Sequence, residues 1–451
     1  MKNSRTANRS VGLRASLPAL AGLCVLGASQ GAAAQSVAAP QPGITNQAAS
    51  PPAVTDPTAP AGAATLPAAT SGWASTIKLG FQGEAGIVGN TLSPDNNRNV
   101  GMLFTDSANR PVLNQLLATI SRDIDPKAST VDVGFKFQAM YGSDARITHT
   151  LGVFDQLIHD RNQLDIVEAD ISVHLPYLFT GGIDVKAGIY PTPLGVEVID
   201  PKGNPFYTHS YIFNYGLPYK HTGVLATAHV SDIVDIYGGI DSGVNTGIAY
   251  GAGDNNQRPG GIAGIGLNIL DGKFTLLALT HMGPENPKPA TPFANSAMRY
   301  LNDVAIVYKA TEKLTLTGEL NYIRDAGFRA EGYGAATYAS YALNESWTLN
   351  GRVEAFRDNN NFFVSNPVGS LDYVNSERGN FSNLITAAKP TTYGELTVGA
   401  TYKIPGLPEK LTTALFRPEV RYDRSLNGTN PYGDGRARDR WTISGDIVLG
   451  F

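Results

Sequence analysis

Seven histidines are the first residues to weigh for catalysis or metal binding: His149, His159, His174, His209, His221, His229 and His281. None lies in an HExxH motif or another close ligand spacing. Ser210 follows His209 directly, but neighbours in an extended run point to opposite faces, which does not make a nucleophile–base pair. No GxSxG elbow occurs, and no glycine-rich phosphate loop precedes a helix. The runs Asp254-Asn255-Asn256 and Asp358-Asn359-Asn360-Asn361 lack the spacing of a calcium loop, and turn chemistry accounts for them. The single cysteine, Cys24, lies near the N-terminus. These patterns predict no enzyme, no cofactor and no metal.

The charged residues that recur at alternate positions have a different chemistry, that of a wet, polar surface. Lys136, Glu168, Asp170, His174, Asp184, Lys186, Glu319, Arg352, Glu354, Arg417, Glu419 and Arg421 each alternate with apolar neighbours. Val131, Val133, Phe135 and Phe137 alternate with Asp132, Gly134, Lys136 and Gln138. Val167, Ala169, Ile171, Val173 and Leu175 are set against Glu168, Asp170, Ser172 and His174. Leu316, Gly318, Leu320 and Tyr322 are set against Thr315, Thr317, Glu319 and Asn321. In the last run Trp441, Ile443, Gly445, Ile447, Leu449 and Phe451 share a face, with Val448 an apolar exception on the other. Period-two alternation means strands with one apolar and one polar face. If the apolar face meets lipid, the charged residues line a lumen. Among inner positions read this way, acids outnumber bases, with Asp132, Asp235, Asp241, Asp423 and Asp446 adding to the carboxylates above.

The N-terminus reads as an export signal. Lys2, Arg5, Arg9 and Arg14 form a basic region, Leu17–Ala28 a short apolar one, and Ala32-Ala33-Ala34 a small-residue cleavage site. The apolar stretch is too short for a membrane helix, which takes about 20 residues. Leu23 before Cys24, with apolar sequence continuing past it, disfavours a lipoprotein. Removing residues 1–34 takes away four positive charges and no negative ones, so the formal charge of −4 becomes −8. That balance excludes nucleic acid as a partner, since phosphate neutralisation needs clustered Lys and Arg. Residues 35–72 carry seven prolines and only Asp56 as a charge, and read as a disordered or polyproline-like spacer.

From Trp73 to Phe451 strand-like runs are joined by alternating short and long links. Short ones are Ser231-Asp232, Asp271-Gly272, Ala310-Thr311-Glu312, Leu343–Ser346 and Ile404–Lys410. Long ones cover roughly 190–221, 242–260, 282–300, 324–333, 358–391 and 424–438. Membrane barrels alternate short periplasmic turns with long external loops. Counting back from Phe451 predicts an all-β fold: a transmembrane antiparallel up-and-down β-barrel of about sixteen strands, starting near Ser75 and including a weak strand near Val112–Ile120. Tyr141, Tyr308, Tyr322, Trp347, Tyr402, Tyr422 and Trp441 sit near run ends, as interfacial girdles do. A soluble β-sandwich or propeller is the competitor.

Residues 182–224, GIDVKAGIYPTPLGVEVIDPKGNPFYTHSYIFNYGLPYKHTGV, carry a recognisable pattern. With Thr192-Pro193-Leu194-Gly195, Glu197–Asp200, Asn204, Tyr207, Ser210-Tyr211, Phe213, Gly216, Pro218 and His221-Thr222-Gly223, the stretch resembles the β-barrel porin family of the OmpL-like type. Tyr308–Leu314 and the terminal Phe451 are similar to that family too, whereas residues 86–111 and 143–163 match no pattern. The resemblance implies a porin-type barrel and supplies no substrate.

Within Pro193–Pro218, the aromatics Tyr207, Tyr211, Phe213 and Tyr215 are too many for an idle solvated loop. The segment is expected to fold inward as a constriction, with packing over the barrel mouth as the alternative. Trp441 and Phe451 are candidates for an assembly signal read by the barrel-assembly machinery. Sixteen strands leave an aqueous channel, so the expected function is a porin for small polar solutes with mild cation preference. The alternative is a loop-closed receptor or adhesin, or a barrel-embedded enzyme. Outer-membrane lipid is the expected surround, and a homo-oligomer is compatible with this reading.

Overall fold

The computed structural model describes residues 72–451 apart from 156 and 248–252. The expected signal (1–34) and all of the spacer except Gly72 lie outside the described residues. Strands occupy β1 (Lys78–Asn90), β2 (Pro111–Arg122), β3 (Asp132–Gly142), β4 (Gln163–Leu175), β5 (Ile183–Pro191), β6 (Lys220–His229), β7 (Val234–Val244), β8 (Gly260–Ile269) and β9 (Phe274–Pro284). They continue as β10 (Met298–Lys309), β11 (Leu314–Asp325), β12 (Ala330–Ala342), β13 (Trp347–Asp358), β14 (Ser365–Pro367), β15 (Leu384–Thr386), β16 (Thr391–Lys403), β17 (Thr413–Ser425) and β18 (Asp439–Gly450). Sixteen of them close into one antiparallel barrel, each pairing with its neighbour in sequence, and β1 with β18 sealing the seam. The two short strands β14 and β15 pair only with each other, inside the connection between β13 and β16. Closure leaves the barrel no free edge and satisfies its backbone between strands.

The polarity is that of a membrane barrel. On β18, Trp441, Ile443, Ile447 and Leu449 are exposed, while Arg440, Thr442, Ser444 and Asp446 are buried. Phe81, Ile171, Ile240, Leu320, Val353 and Val398 extend the exposed apolar belt around other strands. Contiguous apolar surface on this scale has no place against water. Aromatics border the belt at both ends. Phe274 and Tyr308 meet at the turn end, where Trp347 stacks on Tyr402 with ring centroids 4.4 Å apart; Tyr422 lies 4.7 Å from Trp441 at the loop end. Among the described residues no helix is long and apolar enough to cross a membrane.

Four details differ from the sequence expectation. The first strand begins at Lys78, because Trp73–Thr76 form a 3-10 turn. The weak strand is a full one, β2. The link expected to be long around 324–333 is the tight turn 326–329, since Asp325 pairs with Ala330. Val167, expected on the outer face, is 1% exposed inside the barrel. The last has a local cause: pairing steps from Gln138↔Glu168 to Ala139↔Ile166, so Val167 is the extra residue of a bulge. A similar step, from Glu84↔Gln115 to Ala85↔Leu113, makes Asn114 the extra residue of β2. Asn114 and Gln115 are both buried, and they donate to the two oxygens of Asp144 at 3.0 and 2.9 Å. These bulges turn wall residues toward loops that enter the barrel.

Candidate pore lumen

The 192–219 connection between β5 and β6 lies inside the barrel. A run of 28 residues held only by its ends would not stay there, and the wall binds it through its backbone. Glu354 of β13 accepts from Tyr211 N at 2.6 Å and Ile212 N at 2.7 Å. Glu419 of β17 accepts from Tyr207 N at 2.8 Å and from Thr208 Oγ1 at 2.5 Å. Glu319 of β11 accepts from Val196 N at 3.1 Å. Three arginines hold the carbonyls: Arg352 donates to Thr208 O at 2.9 Å, Arg417 to Pro201 O at 2.6 Å and Asn204 O at 2.8 Å, and Arg421 to His209 O at 2.6 Å. The charged guanidiniums make the arginine contacts stronger than neutral hydrogen bonds.

The loop also carries its own clamp. Glu197 accepts from Arg352 Nη1 at 2.7 Å, from Tyr338 Oη at 3.0 Å and from Ser210 N at 3.1 Å, and pairs with His209 Nδ1 at 2.6 Å. Burial alone would raise its pKa, but the Arg352 charge and the His209 hydrogen bond prevail and hold the carboxyl at about 2.

Tyr207, Tyr211, Phe213 and Tyr215 are all buried. Tyr207 donates to Asn114 of β2 at 2.9 Å, Tyr211 to Asp423 of β17 at 3.0 Å, and Tyr215 to Asn366 of the 359–390 connection at 3.3 Å. Phe213 stacks on His209 with centroids 4.2 Å apart, and Phe104 packs 5.3 Å from Phe213. Leu103 and Phe104 from 91–110, Ala145 and Ile147 from 143–162, and Phe363 and Val364 from 359–390 join the same apolar cluster. Asp106 ties two of these loops together through Arg98 at 2.6 Å, Arg146 at 3.0 Å and Arg161. Against the effect of burial, those three guanidiniums hold its carboxyl below the usual range.

The twelve wall positions singled out from the sequence fall into two groups. Glu319, Arg352, Glu354, Arg417, Glu419 and Arg421 are buried beneath the inserted loop. Lys136, Glu168, Asp170, His174, Asp184 and Lys186 form a separate patch on β3–β5, away from those contacts. There Lys136 and Lys186 flank Glu168 at 2.7 and 2.9 Å, and their side chains keep 37% and 29% of their exposure. His174 Nδ1 pairs with Asp184 at 2.7 Å, and Asp184 with His229 at 3.1 Å. Trp441 and Phe451 are exposed on the outer face, and Phe451 exchanges backbone hydrogen bonds with Phe81 across the seam.

Sequence reasoning missed Asn114 and Gln115, which a bulge turns inward, and Asp106, whose partners are 8, 40 and 55 residues away. It also missed the other connections that pack beside the one it singled out, Tyr432 of 426–438 among them. The apolar run Met102-Leu103-Phe104 within 86–111 was the available signal.

A closed barrel with an apolar exterior, a charged interior and a loop bound at mid-wall defines a porin-type membrane barrel. The chain belongs to the family described as "Putative beta-barrel porin-2, OmpL-like", whose model matches residues 77–451. No curated protein matches it. Among solved structures it is similar to the Salmonella typhi OmpF complex with daunomycin (10% identity, 83% of this chain and 97% of that chain, TM-score 0.50). Others are the outer membrane channel DcaP of Acinetobacter baumannii (11%, 83% and 96%, 0.47) and an anion-selective porin from Comamonas acidovorans (9%, 83% and 99%, 0.48). At these identities the likeness speaks to fold alone.

Proposed function

We propose that this porin-family chain is exported by cleavage after residue 34, crosses the outer membrane as the 73–451 barrel, and passes small polar solutes through a water-filled channel with mild cation preference. Residues 35–72 act as a spacer. The observation that carries the reading is the inverted polarity of a closed barrel. Apolar side chains cover its outside, while the lumen keeps partly exposed Lys136 and Lys186 beside Glu168 and Asp170. On this reading Tyr207, Tyr211, Phe213 and Tyr215 narrow the passage and the β3–β5 wall lines what remains open. A loop-closed barrel has one observation in its favour, the apolar cluster that several connections build inside the loop end. Reconstitution into a planar bilayer separates the two. Discrete ohmic steps from protein that also shifts on a gel with boiling support the channel. Heat-shifting protein that gives no steps would assign the barrel to the loop-closed class.

A further inference from the structure

We propose that His221, Asp241 and His281 form a binding site for one borderline divalent transition-metal ion, Zn²⁺ fitting best. One donor atom from each lies within 4.8 Å of the others, and all three residues are buried. They come from β6, β7 and β9 and are far apart in sequence, so no motif reveals them.

Two backbone features assemble the group. Pairing between β6 and β7 steps from His221↔Val244 to Gly223↔Asp241, so β7 bulges at Ser242-Gly243 and brings Asp241 to His221. Gly243 has φ +112, which a side chain would strain. Between β7 and β9 stands β8, where Gly260 pairs with Asp241. A Cβ at 260 would sit 2.7 Å from His281 Nε2 and 2.9 Å from Asp241 Oδ1. The missing side chain is what lets His281 reach across β8.

The donor geometry suits a metal better than a closed set of hydrogen bonds. His221 Nδ1 and Asp241 Oδ2 face each other at 3.3 Å, yet both are buried and make no hydrogen bond. Zinc bonds of about 2.0–2.1 Å in tetrahedral array put neighbouring donors roughly 3.3 Å apart. His281 Nε2 is 3.0 Å from Asp241 Oδ1. His281 Nδ1 and Glu285 Oε1, 3.9 Å apart, are likewise buried without a hydrogen bond. With His281 Nε2 on the ion, its Nδ1–H would point at Glu285, the usual outer carboxylate of a metal-bound imidazole. The rest of that outer layer is in place: His221 Nε2 meets Thr192 Oγ1 at 3.0 Å, and Val244 N donates to Glu285 Oε2 at 2.8 Å. Two imidazoles and a carboxylate suit Zn²⁺ and its neighbours, whereas Ca²⁺ and Mg²⁺ need mostly oxygen. Thr192 begins the inserted loop, so the ion would pin the root of that loop to the wall.

The test uses the full chain extracted from membranes in detergent without chelator. Elemental analysis after dialysis should find about one zinc per chain, and chelation should lower the temperature of the boiling-dependent gel shift. Asp241→Asn and His281→Gln should lose the zinc while keeping a gel shift that chelator no longer moves. Glu285→Gln should weaken zinc binding about 10–100-fold. Co²⁺ added to the chelated wild type should give the intense visible bands of a low-coordinate site, which needs no variant to fold. Heat-shifting wild type that holds no zinc and gives no such cobalt spectrum would overturn the proposal, leaving a hydrogen-bonded triad. So would zinc retained equally by Asp241→Asn and His281→Gln.

Discussion

Glu354 shows what a wall carboxyl group does in this barrel. Its two oxygens accept from consecutive backbone N–H groups, those of Tyr211 and Ile212, at the start of the π-turn Ile212–Gly216. Those donors lie inside a buried aromatic cluster, where an unpaired N–H costs about 1–3 kcal/mol. Glu354→Gln keeps the shape but sets an NH₂ against one of the two N–H groups. The expected result is a barrel that still shifts on boiling but whose inserted loop opens to chymotrypsin, which cleaves at the aromatics Tyr207, Tyr211, Phe213 and Tyr215. Mapping the fragments by mass checks this. Resistance equal to wild type would mean that Glu354 does not hold the loop.

At the scale of elements, the inserted loop and the closing strand make separate predictions. Glu197 anchors the loop through Arg352, His209 and Tyr338. Its folded pKa of about 2 lies below the ordinary carboxylate value. A depressed carboxyl stabilises the folded state above its unfolded pKa, and the contribution fades as pH falls from about 4.3 towards 2. Single-channel conductance should therefore rise reversibly below about pH 4 as the loop loosens, and Glu197→Gln should show the larger conductance at neutral pH. A trace that stays flat down to about pH 2.5 would count against the anchor. On β18 and at the residue after it, Trp441, Ile443, Ile447, Leu449 and Phe451 all point outward. As lipid-facing groups, each would contribute only about 1.5–3 kcal/mol. If Phe451 is also read during assembly, its deletion should cut the amount of inserted protein well below that of Leu449→Ala. Equal amounts in membrane fractions would leave Phe451 as one more lipid contact. The strands themselves were legible because alternation at Val131–Phe137, Thr315–Tyr322 and Trp441–Phe451 is a local property. The bulge at Val167 was not, since the alternation Val167, Ala169, Ile171 continues unbroken through the residue that pairing leaves out. The same limit hid the lumen's contents. The aromatics of 192–219 stood out by their number, but Asp106 and its arginines, or His221 with Asp241 and His281, meet only once the barrel has closed.

For the whole molecule, the charge on the lumen wall decides the sign of ion preference. Counting charges along alternate positions overstates the field. Arg352 and Arg417 are matched by Glu197, Glu395, Glu84 and Asp446, and Arg421 and Arg440 share Asp423. These groups are buried together, and their fields largely cancel at the channel. The other wall charges lie on β3–β7, where the Lys136 and Lys186 side chains keep part of their exposure. Lys136 and Lys186 balance Glu168 and Asp170. Asp184 and Asp235 share His229, and Asp184 also pairs with His174, so the cluster is negative whenever at least one of the two imidazoles is neutral. A small acidic excess in a narrow passage draws cations in, and it should weaken as the screening length falls from about 10 Å at 0.1 M salt to about 3 Å at 1 M. The reversal potential across a tenfold KCl gradient is therefore expected to have the sign of modest cation preference and to shrink as both concentrations rise. Asp184→Asn with Asp235→Asn should bring it close to zero while leaving the boiling-dependent gel shift intact. Anion selectivity in the wild type would mean that the buried arginines, and not the β3–β7 carboxylates, govern the passage.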